Sequence, residues 1–62
     1  MKNGFYYIVG TGGRIVWVYK SCGSALMDLT AMWANKSCGL AIVYNGEVLY
    51  RLTENGIEKV GA

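Results

Sequence analysis

The sequence predicts an α+β protein: a single ββαββ domain over residues 1–62, with an antiparallel sheet of four strands and one helix packed on one face. Two pairs of short segments rich in β-branched and aromatic residues each enclose a glycine-containing turn, which is typical of β-hairpins. Between the two pairs, apolar residues recur with the spacing of one helical face. The order of these signals is hairpin, helix, hairpin, and the tail leaves room for a fifth strand.

The first hairpin is predicted from FYYIV at residues 5–9 and RIVWVY at residues 14–19, with GTGG between them. A glycine-rich loop can also bind phosphate, but phosphate loops lead from a strand into a helix whose N-terminus holds the anion. Because this loop leads into another strand, the sequence favours a hairpin turn.

The helix is predicted over residues 24–35, where apolar residues follow the i, i+3, i+4, i+7, i+8 spacing. This face is expected to pack on the sheet, and it consists of Ala25, Leu26, Leu29, Met32 and Trp33. Ser21 or Ser24 can cap the N-terminus of the helix, and Gly39 lies just past its C-terminus.

The second hairpin is predicted from LAIVY at residues 40–44 and EVLYRL at residues 47–52. Asn45-Gly46 joins them, and this dipeptide favours a type I′ turn because both of its residues need positive φ. The tail TENGIEKV contains a further Asn-Gly and allows a short strand at residues 57–60. Whether that fifth strand forms is left open.

A two-residue turn also sets the register of the second hairpin, and hence the two faces of its strands. Val43 is expected opposite Val48, and Ile42 opposite Leu49. One face then carries no charge and is expected to lie under the helix; it consists of Ala41, Val43, Val48, Tyr50 and Leu52.

The opposite face of the sheet is expected to stay uncovered, because one helix about 10 Å wide covers a single face. That face is still apolar, and an exposed apolar patch usually marks an interaction site. The predicted interface residues are Leu40, Ile42, Tyr44, Leu49, Phe5, Tyr7, Val16 and Val18, with Met27 and Asp28 on the outer side of the helix. The expected partner is another protein, and a homodimer is predicted.

Composition excludes several classes of protein. Of the 62 residues, 53% are hydrophobic and 16% are charged, whereas a disordered chain is polar and highly charged. The net charge of +2, with basic residues scattered along the chain, does not indicate a polyanion partner. The short apolar stretch near the N-terminus and the low cysteine content predict a soluble, cytoplasmic protein with no membrane segment.

The tetrapeptide KSCG occurs twice and contains both cysteines, Cys22 and Cys38. The predicted helix between them would hold them about 20–24 Å apart, whereas a disulfide needs Cα atoms within about 7 Å. A metal site would lack ligands, since the chain has no histidine and no third cysteine. The repeat is therefore interpreted as two loops flanking one helix, and no cofactor is expected.

The sequence shows no catalytic constellation, so no enzymatic activity is predicted. Cys22, near a helix N-terminus and close to Lys20, is where a thiolate would be stabilised, but no histidine is present to act as its base. The four acidic residues have no spacing typical of carboxylate catalysis or of a calcium loop. Aromatic residues beside Lys and Arg leave single-stranded nucleic-acid binding as an alternative to protein binding.

The order of a hairpin, a helix that begins SALMDL, and GLAIVYNGEVLYRL with a polar tail resembles the small ββαββ proteins encoded by bacteriophages and mobile elements. Some of these are anti-CRISPR or other anti-defence inhibitors. The resemblance covers nearly the whole chain in architecture and size. It implies a non-enzymatic protein that acts by occupying a surface on a larger host or defence complex.

Overall fold

The computed structural model of the protein describes residues 2–35 and 39–60, and in it one helix packs with a five-stranded antiparallel sheet. The elements are β1 (Tyr6–Val9), β2 (Ile15–Tyr19), α1 (Cys22–Ala34), β3 (Ala41–Tyr44), β4 (Glu47–Thr53) and β5 (Gly56–Lys59). This confirms the α+β class. The fifth strand, which the sequence left open, forms one residue earlier than its pattern suggested.

The strand order is β2-β1-β3-β4-β5, which is more than two hairpins placed side by side. Strand β1 lies between β2 and β3 and is antiparallel to both, so β2 and β3 run parallel to each other. Parallel strands cannot be joined by a tight turn and need a crossover. Helix α1 supplies that crossover, and it thereby lies across one face of the sheet.

Helix α1 begins at Cys22, two residues before the predicted start, because Ser21 caps it. The extended backbone of Ser21 brings its Oγ within 3.2 Å of the N–H of Ser24, which donates to it. This bond satisfies one of the N–H groups that the first helical turn leaves free. At the other end, the N–H of Asn35 donates to the carbonyl oxygen of Ala31 at 3.2 Å.

The Asn45-Gly46 turn forms as predicted, with φ of 50° and 81° at its two residues. Val43 lies opposite Val48, also as predicted, but Ile42 lies opposite Tyr50 and not opposite Leu49. A β-bulge leaves Leu49 without a partner in this register. Since side chains alternate between faces, the extra residue moves every later residue of β4 to the other face.

The bulge splits the face predicted to lie under the helix, and Tyr50 and Leu52 are there as predicted. Tyr50 and Leu52 join Ile42 on the face that α1 covers, while Ala41, Val43 and Val48 lie on the other face with Arg51. The hydrophobic core forms between the helix and the first of these faces; its buried members are Ile8, Tyr19, Ala25, Leu29, Ile42 and Leu52. The expectation that Ala41, Val43 and Val48 pack under the helix is therefore wrong.

The helical face predicted from the spacing is correct except at Trp33. Ala25 and Leu29 are fully buried, and Leu26 and Met32 pack against the core. Trp33 is 43% exposed, because by the end of α1 the helix has reached β5 at the edge of the sheet. Its ring lies beside Gly56, where a Cβ atom would come within 3.9 Å of the indole.

We expect Gly56→Ala to lower the free energy of unfolding by about 1–3 kcal/mol, because Gly56 has φ of +117°, which residues with a Cβ atom rarely adopt. Gly23→Ala is the matched control: Gly23 lies inside α1 with open space around its Cβ position, and alanine there favours the helix. Urea unfolding monitored by circular dichroism measures both changes. Equal stability of the two variants would show that the turn before β5 does not require glycine.

Candidate functional site

Three of the predicted interface residues lie on the face that α1 covers. Ile42 has no exposed surface, and Leu40 is half-buried against the core. Tyr44 stacks on Tyr6, with ring centroids 4.2 Å apart and an interplanar angle of 17°. Their placement on an uncovered face is therefore wrong, because both faces are apolar and the local pattern does not say which one the helix occupies.

The remaining predicted interface residues on the sheet lie outside the buried cluster. Tyr7 is opposite Val18 on one side and Val43 on the other, so these three share the face without a helix. Phe5 and Leu49 are half-buried, whereas Val16 and Val18 are exposed. On the helix, Met27 and Asp28 are exposed, as predicted for its outer side.

The structure concentrates exposed apolar surface on β2. Four consecutive large apolar residues of this strand, Ile15, Val16, Trp17 and Val18, are 40% to 64% exposed. Strand β2 is also the outermost strand of the sheet, so one side of its backbone has no neighbour among the described strands. We call these four residues, with the outward-facing backbone of β2, the β2 edge. The predicted interface includes Val16 and Val18 of this edge but not Ile15 and Trp17.

The helix contacts β2 at the end of this strand. Tyr19, the last residue of β2, is buried and donates a hydrogen bond to Asp28 in the middle of α1, whereas the four residues before it remain exposed. The helix also contacts β1 and β5. A bulge in the β1–β2 register leaves Val16 without a partner, since Ile8 pairs with Trp17 and Val9 with Ile15. Consequently both faces of β2, and not only one, remain open to solvent.

The opposite edge of the sheet has a different composition. Strand β5 carries two exposed charged residues, Glu58 and Lys59, within only four residues. Short strands and charged side chains are the usual means by which proteins prevent unwanted pairing at a sheet edge. Strand β2 has five residues and no charge. The sheet thus has one protected edge and one open edge.

One hydrogen bond joins the helix to the end of β2. The Tyr19 hydroxyl donates to Oδ2 of Asp28 at 2.7 Å. Burial raises the pKa of Tyr19 to about 12, and the hydrogen bond to the Asp28 carboxylate contributes in the same direction. The bond holds α1 against β2 beside the exposed residues, so the predicted interface residue Asp28 has a structural contact.

We expect Tyr19→Phe to lower the free energy of unfolding by about 1 kcal/mol at pH 7, through loss of this bond. A tyrosine with a raised pKa stabilises the folded state fully below its unfolded pKa of about 10. The difference between parent and variant should therefore be constant below pH 10 and shrink as the pH rises to about 12. Urea titrations at several pH values test this, and a difference independent of pH would contradict the assigned hydrogen bond.

Among the described residues, no three histidine, cysteine, aspartate or glutamate side chains lie close enough together to hold a metal ion. Cys22 is half-buried in the first turn of α1, while Cys38 falls outside the described residues, so the predicted separation of the pair is not measured. An open cleft of about 460 Å³ lies between β3 and β4, lined by Leu40, Arg51 and Glu54 among others. It brings together no set of groups typical of catalysis.

The aromatic side chains do not form one continuous platform. Tyr6 and Tyr44 stack on each other, and the Tyr7 hydroxyl lies 3.1 Å from the backbone nitrogen of Lys2, which donates to it. The two exposed rings belong to different elements, Trp17 to β2 and Trp33 to α1. Only Trp17 lies on a strand flanked by basic residues.

Within residues 2–35 and 39–60, no helix has the length and apolar character needed to cross a membrane. Comparison with protein-family models, with curated proteins and with solved structures yields no match to this chain. The β2 edge is the feature of the described residues from which a function can be proposed.

Proposed function

We propose that this chain is a non-catalytic interaction protein that binds another protein by adding an extended segment of that protein to its sheet at β2. The observation that carries the proposal is the run of four exposed apolar residues on an outermost strand. Main-chain hydrogen bonds along the strand would supply affinity. The alternating side chains of β2 would supply specificity.

Exposing the apolar side chains of the β2 edge to water is energetically unfavourable. An outermost strand that is apolar on both faces favours pairing with other chains, and proteins usually protect such edges. Here β5 is protected and β2 is not, which supports a role for the β2 edge in binding. The homodimer and the host or defence complex remain predictions about the identity of the partner.

One observation favours the alternative function, a module that binds single-stranded nucleic acid. Trp17 is 64% exposed, and its strand is flanked by Arg14 and Lys20, which are exposed as well. A base can stack on an exposed indole while cations contact the backbone phosphates. A single exposed ring offers little platform for successive bases, so we place this function second.

We expect p-benzoyl-phenylalanine in place of Trp17 to crosslink the chain, on irradiation in the producing cells, to one discrete protein partner. The matched control carries the same crosslinker in place of Thr30, which is exposed on α1 away from the sheet edge. It should give no comparable adduct. Val16→Lys, which places a charge on the β2 edge, should remove the adduct formed from position 17.

Mass spectrometry of the adduct identifies the class of partner. A peptide of another protein supports the proposal, and a nucleotide adduct would favour the alternative. Adducts of equal yield from positions 17 and 30, or adducts unaffected by Val16→Lys, would show that the β2 edge is not a binding site.

A further inference from the structure

Building on the proposed function, we infer that the segment that pairs with β2 comes from a different protein and carries an acidic residue at each end of an apolar centre. The inference follows from the charges that flank the β2 edge. Arg14 precedes β2 directly and Lys20 follows it directly, and both are exposed. The five residues between them carry no charge.

The strand next to β2 does not neutralise the positive charges of Arg14 and Lys20. Strand β1, the only described neighbour of β2 in the sheet, carries no charged residue. On the helix, Asp28 is close to the end of β2, but its carboxylate accepts the hydrogen bond from Tyr19 on the covered face. The exposed side of β2 is therefore apolar in the middle and positive at both ends.

The spacing of the cations defines the length of the matching segment. Because the bulge at Val16 places an extra residue in β2, residues 14–20 fill six positions of the strand ladder and span about 17 Å at about 3.4 Å per residue. A partner segment of six residues would therefore place its first and last side chains beside the two cations, which lie on opposite faces of the strand. Opposite charges directly across a strand pair stabilise it, and like charges destabilise it.

A second copy of this chain does not place acidic residues beside the two cations that flank β2. Antiparallel pairing of two β2 strands about their centres brings Arg14 of each copy to the same end as Lys20 of the other. Parallel pairing also brings basic residues together at both ends. Strand β5 of a second copy is short and carries Lys59 as well as Glu58.

The test uses two synthetic peptides with blocked termini, GEVTVTEG and GKVTVTKG. The six central residues of each match the six ladder positions from Arg14 to Lys20, and their charged ends match in either strand orientation. Titration of the ¹⁵N-labelled protein at low salt, followed through the backbone amide signals of β2, gives both dissociation constants. We expect the acidic peptide to bind about tenfold more tightly than the basic one, because two opposite-charge pairs replace two like-charge pairs.

Charge reversal provides the matched control. The double variant Arg14→Glu, Lys20→Glu should prefer the basic peptide. The double variant Lys2→Glu, Lys59→Glu changes the net charge of the protein by the same amount at exposed positions outside β2. It should keep the preference for the acidic peptide. Loss of the preference in both variants would show that net charge, and not the flanking pair, determines the choice.

The outcomes separate this inference from the proposed function. Equal binding of both peptides at β2 would overturn the acidic partner and leave strand addition in place. Absence of shifts at β2 with either peptide would overturn strand addition as well. A dimer in sedimentation equilibrium that Trp17→Lys separates would place a second copy at the β2 edge, and it would also overturn the inference.

Discussion

The packing of α1 across one face of the sheet is the contact on which the rest of this structure depends. Ala25 and Leu29 meet Ile8, Ile42 and Leu52 there, and this contact forms the buried core of the described residues. The same helix is the crossover that lets β2 and β3 run parallel with β1 between them. A helix of thirteen residues is about 20 Å long and about 10 Å wide, so it covers one diagonal of a five-stranded sheet and no more.

The helix leaves strand β2 largely uncovered. Asp28 in the middle of the helix contacts Tyr19 at the end of β2, and Trp33 near the end of the helix lies beside Gly56, while the four preceding residues of β2 remain exposed. Charged residues on β2 would protect this edge against pairing with other chains, as they do on β5. Instead β2 carries no charge and is the most exposed strand, with charges only beyond its ends. This distribution favours a partner that lies along the strand.

The two bulges have opposite consequences for the core and for the surface. In β4, the extra residue Leu49 turns Tyr50 and Leu52 towards the helix and so completes the buried face. In β2, the bulge at Val16 interrupts the alternation within the exposed run. Bulges commonly change the direction of side chains near functional edges. Strand β2 has no charge of its own.

Local chemistry in the sequence by itself determined the elements: the β-branched runs, the Asn45-Gly46 turn, a serine cap at Ser21 or Ser24 and the helical spacing of Ala25 and Leu29. Each of these depends on neighbours a few residues apart, so a sequence pattern can reveal it. Only the tertiary structure decided the insertion of β1 between β2 and β3, the bulge at Leu49 and the face that α1 covers. Both faces of the sheet are apolar, so burial alone favours neither, and one inserted residue exchanges them. The sequence pattern therefore predicted the exposure of Val16 and Val18 correctly, but it placed Ile42 on the surface, whereas in the structure Ile42 is buried in the core.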